Sequence, residues 1–211
     1  MMKKDIVIVG ASGFAQEIKW LIDRINSATP CWNFLGYINN CASDGNVIGN
    51  DDYLCNYSKE LYVVIAIADT ALRCRLAALF HKNGLLKFPN LIDPSVIMSE
   101  AILTGEGNII CAGSVLTVGI EIGNFCIINL DCTVGHGAVV EDFVTVNPSV
   151  SISGNARLSK GVSMGTGSQI LQGRCVGENT VIGTGSVVLR DIPNDCTAVG
   201  VPTKVIKDRR K

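Results

Sequence analysis

From residue 110 to residue 188, every sixth position of the chain carries an aliphatic residue or Met. The series is Ile110, Leu116, Ile122, Ile128, Val134, Val140, Val146, Ile152, Leu158, Met164, Ile170, Val176, Ile182 and Val188. Its backward continuation gives Thr104, Met98 and Ile92, of which only Thr104 is polar. Four residues after most of these positions stands a small residue: Ser114, Cys126, Cys132, Ala138, Val144, Val150, Ala156, Val162, Ser168, Thr180 and Ser186.

A period of six does not fit an α-helix, whose side chains repeat about every 3.6 residues. It does not fit a plain strand either, because Gly and Asn occur in these segments at regular intervals. It fits a coil of three short strands, in which each hexapeptide supplies one flat face and one corner. Stacked coils bury the six-residue series as a continuous column. We therefore predict a parallel β-helix from about Ile92 to about Val188, and the smaller residues should fill the narrow space at the corners.

The segment before the repeat alternates between strand and helix patterns. The predicted elements are a strand at Asp5–Val9, a helix at Phe14–Ile25, strands at Asn33–Ile38 and Tyr62–Ile67, and a helix from Asp69 or Thr70 to about Lys82, with Gly84 as its stop. This order indicates a small, Rossmann-like α/β domain with a parallel sheet. We predict two domains, residues 1–90 and 91–211.

The turn Gly10-Ala-Ser-Gly13 lies between the first strand and the first helix. Glycines there let backbone amides approach a phosphate at a helix N-terminus. The turn lacks the full G-x-G-x-x-G of dinucleotide-binding proteins. In place of an acidic residue, Asn39 and Asn40 follow the second strand. The pattern therefore favours the nucleotide part of a sugar substrate over a dinucleotide cofactor.

Composition and charge argue against several classes of function, namely nucleic-acid binding, membrane spanning and metal binding. The chain is 47% hydrophobic with a formal net charge of −1, which supports a buried core, and its basic tail at 207–211 is too short to indicate nucleic acid. We expect no membrane span, because no uncharged run is long enough. The nine Cys lack a Cys-x-x-Cys pair and follow no secretory leader pattern, so we expect reduced thiols in the cytoplasm. No His/Cys cluster has metal-binding spacing.

The motifs together resemble a known family. They are Gly10-Ala-Ser-Gly13, Val134-Gly-His-Gly-Ala-Val-Val-Glu-Asp-Phe143, Ile182-Gly-Thr-Gly-Ser-Val-Val188 and Val199-Gly-Val-Pro-Thr-Lys204. They resemble the left-handed β-helix, or hexapeptide-repeat, sugar O-/N-acyltransferases, which include sialic-acid O-acetyltransferases and bacillosamine and perosamine N-acetyltransferases. The resemblance implies a left-handed helix, a homotrimer, and acetyl-CoA as cosubstrate in the groove between neighbouring helices. It also implies a nucleotide-linked amino sugar held by the N-terminal domain, for cell-surface polysaccharide such as O-antigen.

The resemblance also assigns residues. It implies His136 as the catalytic base, Asn129 as a second catalytic residue and Asp142, or alternatively Glu141, as the acid that orients the histidine. It implies a cosubstrate site of Gly154, Gly165, Thr166, Thr184 and Lys204, although Lys204 is equally a solvated lysine. For the nucleotide sugar we expect Gly10, Ser12, Gly13, Phe14, Asn39, Asn40 and Asp69. The chain departs from the family at Gly137, where the best-known members have Glu, and at Phe14, where many have His.

The expected reaction is acetyl transfer to the 4-amino group of a nucleotide-linked 4-amino-4,6-dideoxy sugar. A neutral imidazole suits the removal of a proton from the attacking amine, because it titrates near neutral pH. Cys126 and Cys132 occupy successive small-residue positions, so we expect packing rather than an acyl-cysteine role. We expect His81 to be structural, because it lies near a helix end. Sugar O-acetylation and a non-catalytic binding or scaffold role remain alternatives.

Overall fold

The structure is a computed structural model that describes residues 3–41 and 46–209. It divides into two compact units, Met1–Pro94 and Ser95–Lys211. The first unit thus continues past the boundary predicted at residue 90.

The first unit is an α/β layer, as the strand and helix patterns predicted. Its elements are β1 (Lys4–Val9), α1 (Gly13–Ala28), β2 (Trp32–Ile38), β3 (Val47–Gly49), α2 (Asp51–Cys55), β4 (Leu61–Ile65), α3 (Thr70–Phe80), β5 (Leu86–Lys87) and β6 (Leu91–Ile92). The first five strands form one parallel sheet in the order β3-β2-β1-β4-β5. The short elements β3, α2 and β5 were not predicted, because their segments are too brief to display a period.

Helix α1 is stabilised by a buried apolar face, and helix α3 begins at a side-chain cap. Helix α1 buries the stripe of Ala15, Ile18, Leu21 and Ile22, which is the spacing of one helical face. Helix α3 is capped by Asp69, whose Oδ1 accepts from the amide of Leu72 at 2.7 Å. It ends at Phe80, slightly before the predicted end at Lys82.

The second unit is a stack of triangular coils with three parallel faces. Face 1 consists of β7 (Ile97–Met98), β10 (Val115–Leu116), β13 (Thr133–Val134), β16 (Ser151–Ile152), β19 (Gln169–Ile170) and β22 (Val187–Val188). Face 2 consists of β8 (Leu103–Thr104), β11 (Glu121–Ile122), β14 (Val139–Val140), β17 (Arg157–Leu158) and β20 (Cys175–Val176). Face 3 contains β9 (Ile109–Ile110), β12 (Ile127–Ile128), β15 (Thr145–Val146), β18 (Ser163–Met164), β21 (Val181–Ile182), β23 (Cys196–Val199) and the antiparallel β24 (Lys204–Asp208).

Three corners connect these faces, and each corner is a column of turns that recurs once per coil. Corner 1/2 leads from face 1 to face 2 and includes residues 117–120, 135–138, 153–156 and 171–174. Corner 2/3 includes residues 105–108, 123–126, 141–144 and 159–162. Corner 3/1 includes residues 111–114, 129–132, 147–150, 165–168 and 183–186.

The six-residue series forms the core of the helix. From Ile110 to Val188 each of its members is at most 4% exposed, so the predicted register is confirmed. Full burial of one such side chain contributes on the order of 1.5–3 kcal/mol. Thr104 departs from the pattern and is exposed, and Met98 is half-buried.

Several polar residues at the buried corner positions hydrogen-bond the adjacent coil. The Ser114 hydroxyl donates to the carbonyl of Asn129 at 2.9 Å and accepts from the Cys132 amide at 3.2 Å. The Cys132 thiol donates in turn to the carbonyl of Asn147 at 3.2 Å. These bonds satisfy groups that would otherwise be costly to bury, which explains why Ser and Cys replace Ala or Val there.

Candidate active site

His136 lies on the outer surface of corner 1/2, between two glycines that pack against the coil above. A Cβ on Gly135 would lie 2.6 Å from the amide nitrogen of Gly154, and one on Gly137 would collide with the side chain of Asn155. Gly137 also has φ +65°, a conformation that costs other residues free energy. The His136 carbonyl accepts from the Asn155 amide at 2.7 Å. The turn is therefore fixed by its backbone, while the imidazole faces outward.

Gly154 lies one coil further along the same corner, directly against the His136 ring. A Cβ on Gly154 would lie 2.5 Å from His136 Nε2 and 2.6 Å from Cε1. Among residues 3–41 and 46–209, no acceptor is recorded for the amide N–H of Gly154 or for either nitrogen of His136. The structure therefore brings together the predicted base, His136, and Gly154 of the predicted cosubstrate site.

The second predicted catalytic residue, Asn129, lies at corner 3/1. Asn129 follows β12, and its Oδ1 accepts from the amide of Leu130 at 2.7 Å. The predicted cosubstrate residues Gly165, Thr166 and Thr184 belong to the same corner, two and three coils further on. A Cβ on Gly165 would lie 2.5 Å from the Thr184 amide nitrogen, so glycine is required there for the coils to stack. Within one chain, Asn129 and His136 lie on different corners.

Asp142 lies at corner 2/3, at the far end of β14 from His136. Its Oδ1 accepts from the Asn124 amide at 2.7 Å and from Asn124 Nδ2 at 3.0 Å. The alternative acid, Glu141, pairs with Arg157 and accepts from the amide of Lys160 at 2.9 Å. In the described parts of the chain neither carboxylate contacts His136, so an orienting role for Asp142 has no supporting contact within one chain.

Both acids border a cleft of about 540 Å³ on face 2. Its lining consists of Leu103, Thr104, Gly105, Glu121, Ile122, Gly123, Val139, Val140, Glu141, Asp142, Arg157 and Lys160. His136 is absent from this lining. The residues that line the cleft are therefore not grouped with the predicted base, His136.

The predicted nucleotide-sugar residues gather at the carboxyl edge of the first unit's sheet. Gly10 to Phe14 follow β1, Asn39 and Asn40 follow β2, and Asp69 follows β4. The order β3-β2-β1-β4-β5 reverses direction between β1 and β4, which is where open α/β sheets bind ligands. Gly10 has φ +110°, and its Cβ would lie 3.0 Å from the Ala66 carbonyl oxygen, so the two loops at this point are in close contact.

Not all of these residues have free side chains. Asn40 exchanges hydrogen bonds with Asp51, through Nδ2 to the carboxylate at 2.8 Å and through Oδ1 from the amide at 3.1 Å. Asp69 is occupied as the cap of α3. Ser12 precedes α1 in the capping position but makes no side-chain cap hydrogen bond. Phe14 is half-buried.

Arg73, which was not predicted to be a site residue, is 1% exposed. Its Nη1 donates to the carbonyls of Ile67 at 2.7 Å and Ala68 at 3.0 Å, so it shapes the β4–α3 loop at the carboxyl edge. The signal was present, because the buried face of α3 comprises Arg73, Leu76, Ala77 and Phe80, which are spaced as one helical stripe.

The remaining candidate residues make the following contacts. Lys204 begins β24, is exposed, and pairs with Val199 through the backbone. His81 stacks on Phe88 with ring centroids 4.5 Å apart, as expected of a structural residue. The Cys126 thiol donates to the carbonyl of Glu141 at 3.0 Å, and burial raises the pKa of the Cys132 thiol to about 11. The raised pKa of Cys132 is the opposite of what an acyl-cysteine needs.

Residues 3–41 and 46–209 contain neither a metal-binding cluster nor a membrane-spanning helix. No group of three or more His, Cys, Asp or Glu side chains there has an arrangement suited to a metal ion. None of the helices in those ranges has the length and apolar character needed to cross a membrane.

Comparison with known proteins supports the resemblance. Residues 5–80 match the family model of the PglD N-terminal domain. A mutant of perosamine N-acetyltransferase from Caulobacter crescentus, in complex with CoA and GDP-perosamine, is 26% identical, with a TM-score of 0.86 over 97% of both chains. WeeI from Acinetobacter baumannii AYE is 26% identical, with a TM-score of 0.85 over 97% of this chain and 100% of that one.

The acetyltransferase domain of PglB from Neisseria gonorrhoeae, in complex with acetyl coenzyme A, has the same fold. It has a TM-score of 0.89 at 24% identity, over 97% of this chain and 100% of that one. The left-handed β-helix predicted after the α/β domain is confirmed by these similarities.

Curated relatives match less of the molecule. Serine acetyltransferase from Synechococcus elongatus is 36% identical over 107 residues, which is 43% of this chain and 44% of that protein. Serine acetyltransferase from Salmonella typhimurium is 40% identical over 81 residues, 35% of this chain and 30% of that protein. The match therefore spans less than half the length of these relatives.

Proposed function

We propose, from the premise that the chain has the fold and the N-terminal domain of the left-handed β-helix sugar acyltransferases, that it transfers an acetyl group from acetyl-CoA to the 4-amino group of a nucleotide-linked 4-amino-4,6-dideoxy sugar. The observation that carries the proposal is the contact between the outward-facing ring of His136 and Gly154. This pair combines a proton acceptor with a backbone amide that makes no recorded bond within the described ranges.

His136 would act as the general base. Its neutral imidazole accepts the proton of the amine as the amine nitrogen attacks the thioester carbon. The carbon–sulfur bond then breaks, and the imidazolium returns its proton to the departing thiolate, so the products are the N-acetyl sugar and CoA. A positioned base of this kind typically contributes about 10²–10⁴-fold.

Gly154 would supply electrostatic stabilisation. Negative charge develops on the thioester oxygen during attack, and a fixed amide N–H aimed at that oxygen lowers the barrier. The amide nitrogen of Gly154 packs against Gly135, where a Cβ would lie 2.6 Å from it. Since Gly135 has no side chain, nothing at that position covers the amide. The chain thus fits an acyl thioester at corner 1/2 without a metal ligand.

The complete site would require a second copy of the chain. Asn129, Gly165, Thr166 and Thr184 belong to corner 3/1, whereas His136 belongs to corner 1/2. Two corners of one triangular prism diverge, but a groove between two prisms is lined by one corner from each. A closed cyclic assembly produces such grooves, and the family resemblance makes it a homotrimer.

The first unit would hold the nucleotide sugar. The uncapped amides at the start of α1, after Gly10 and Ser12, suit a diphosphate because the helix dipole favours anions there. Arg73 holds the neighbouring loop through the carbonyls of Ile67 and Ala68. The setting we propose is cytoplasmic synthesis of a cell-surface glycan.

The second candidate is O-acetylation of a sugar hydroxyl. It is favoured by the serine acetyltransferase relatives, since serine accepts acetyl on oxygen. The match of residues 5–80 to the PglD N-terminal domain favours the nucleotide-sugar amine instead. A non-catalytic scaffold would not require a glycine at position 154, against the His136 ring.

The experiment is a mass-spectrometric screen of amino-sugar nucleotides with acetyl-CoA, in which each amine is paired with its 4-hydroxyl counterpart. The expected result is a mass gain of one acetyl group on a 4-amino substrate only, and its loss with His136→Ala. Acetylation of hydroxyl substrates alone would favour the second candidate. No acetylation of any substrate, together with no CoA binding, would support the scaffold.

A further inference from the structure

Arg174 occupies a position in the repeat that is apolar in the four preceding coils. In corner 1/2 the buried position before each earlier face-2 strand is filled by Ile102, Ile120, Ala138 and Ala156, all at most 9% exposed. Arg174 occupies this position before β20, the last strand of face 2. Burying part of a guanidinium costs free energy unless its donors are bonded, so its presence needs an explanation other than packing.

The contacts of Arg174 leave part of its hydrogen-bonding capacity unused. Its Nε is buried and has no hydrogen-bond partner within the described ranges. Its Nη1 lies 3.9 Å from Asp191 Oδ1, beyond hydrogen-bond distance, and that oxygen already accepts from the amide of Cys175 at 3.0 Å. The side chain is 43% exposed, and the nearby Arg190 is also exposed. The outer edge of the guanidinium is therefore available to an anion.

Arg174 is connected to the proposed active site through one turn. The amide of its neighbour Gly173 donates to the carbonyl of Gly154 at 3.0 Å, and Gly154 lies against His136. Adjacent parallel strands are about 4.8 Å apart, so Arg174 lies roughly two coils, or about 10 Å, from the coil of His136 along the same corner. A ligand that extends along this corner would have one end at the base and its other end near the guanidinium.

We propose that Arg174 binds a phosphate group of coenzyme A, and this inference rests on the proposed function. CoA carries its reactive sulfur at one end of a long flexible arm and its phosphates at the other end. A planar guanidinium can bind two oxygens of one phosphate. The partly buried stem fixes the direction of the guanidinium, which reduces the entropy lost on binding.

The test is calorimetric titration of CoA into the full-length protein and its variants, with no acceptor and no reaction. Arg174→Gln keeps a polar stem but removes the charge, and it should weaken CoA binding about tenfold, as expected for one charge-assisted contact. Arg174→Lys should recover part of the loss. The matched control is Arg157→Gln, which removes an exposed arginine of face 2 that pairs with Glu141; its CoA affinity should match the wild type.

A second variant separates binding from folding. Arg174→Ile places at this position the residue found at 102 and 120, so its melting temperature should equal or exceed that of the wild type while CoA binding is still weakened. Dephospho-CoA distinguishes the source of the phosphate: if Arg174 binds the 3′-phosphate, wild type and Arg174→Gln will bind dephospho-CoA equally. If it binds the pyrophosphate, the tenfold difference persists. Nucleoside diphosphate binding should not change.

The outcomes separate the two proposals. If the wild type binds CoA and Arg174→Gln and Arg174→Ile bind it with unchanged affinity, Arg174 is not a phosphate ligand and the proposed function stands. If the wild type does not bind CoA under any condition, the proposed function itself fails.

Discussion

At corner 2/3 of the β-helix, polar side chains are tied to the adjacent coil: Asp142 binds Asn124, and Glu141 binds Arg157 and the amide of Lys160. At corner 1/2, one face away, the His136 ring lies on a bare glycine and makes no recorded hydrogen bond within the described ranges. The same repeat builds both corners. Polar groups that are hydrogen-bonded to the adjacent coil stabilise the stack, whereas polar groups without such bonds at fixed positions are available for chemistry.

The strongest test of this contrast is removal of the imidazole. His136→Ala should reduce kcat by about 10²–10⁴-fold, because the attacking amine loses its proton acceptor. The melting temperature should change little, because the ring is exposed. Steady-state kinetics at saturating acetyl-CoA over several pH values measures the effect. Retention of more than about a third of wild-type kcat at every pH would rule out general-base catalysis by His136.

The second test adds one methyl group at each corner. Gly154→Ala forces the His136 ring to move, because the new Cβ would lie 2.5 Å from Nε2, and we expect kcat to fall roughly 10- to 100-fold. The fold should survive, since the ring can rotate away. Gly123→Ala is the matched variant at corner 2/3. Its Cβ would lie 2.7 Å from the Asp142 amide nitrogen, so stability should fall while the kcat of folded protein stays near wild type.

The third test removes a tied carboxylate. Asp142→Ala leaves the amide and side chain of Asn124 without their acceptor, and it should lower the free energy of unfolding by about 1–3 kcal/mol. Urea unfolding measures the change. We expect kcat to stay within about threefold of wild type, because the hydrogen bonds of Asp142 go to Asn124 and not to His136. A kcat loss comparable to that of His136→Ala, with stability unchanged, would instead make Asp142 the orienting acid.

The smallest expected effect is at corner 3/1 and depends on pH. Burial raises the pKa of the Cys132 thiol from 9.0 to about 11, so the folded state holds this proton more tightly than the unfolded state. The contribution of this thiol to the free energy of unfolding is fully present below pH 9.0 and is lost as pH rises towards about 11. At pH 10 the lost contribution is about 1 kcal/mol.

The control for this pH effect is Cys132→Ser, because Ser occupies the equivalent position at 114, 168 and 186. It does not titrate in this range, so its unfolding free energy should fall less steeply between pH 9 and pH 10 than that of the wild type. Equal slopes would show that Cys132 does not contribute.

The register of the helix could be predicted because every residue of the repeat can be assigned by counting, and burial from Ile110 to Val188 confirms it. The same counting places Asp142 at the position equivalent to His136 on the next corner, a third of a turn away. The family resemblance had assigned the acid by motif, without regard to this geometry. Counting likewise assigns Asn129 to the preceding corner.

Other features could not be predicted from the sequence. The buried Arg73 depends on carbonyls of the loop before it, Ile67 and Ala68, and a helical pattern shows which face a residue occupies but not its partners. The pairing of Asn40 with Asp51 depends on the short helix α2, whose five residues are too few for a periodic signal.

The uniform rise of the coils has a consequence for how the molecule could change in evolution. Distances along a corner can take only multiples of about 4.8 Å, so a chain that gained or lost one whole coil between Gly154 and Arg174 would keep its core register and corner chemistry. It would, however, present the histidine and the arginine to a ligand of different length. The number of coils between two functional turns therefore selects the length of the bound molecule, and it can change without the redesign of any individual contact.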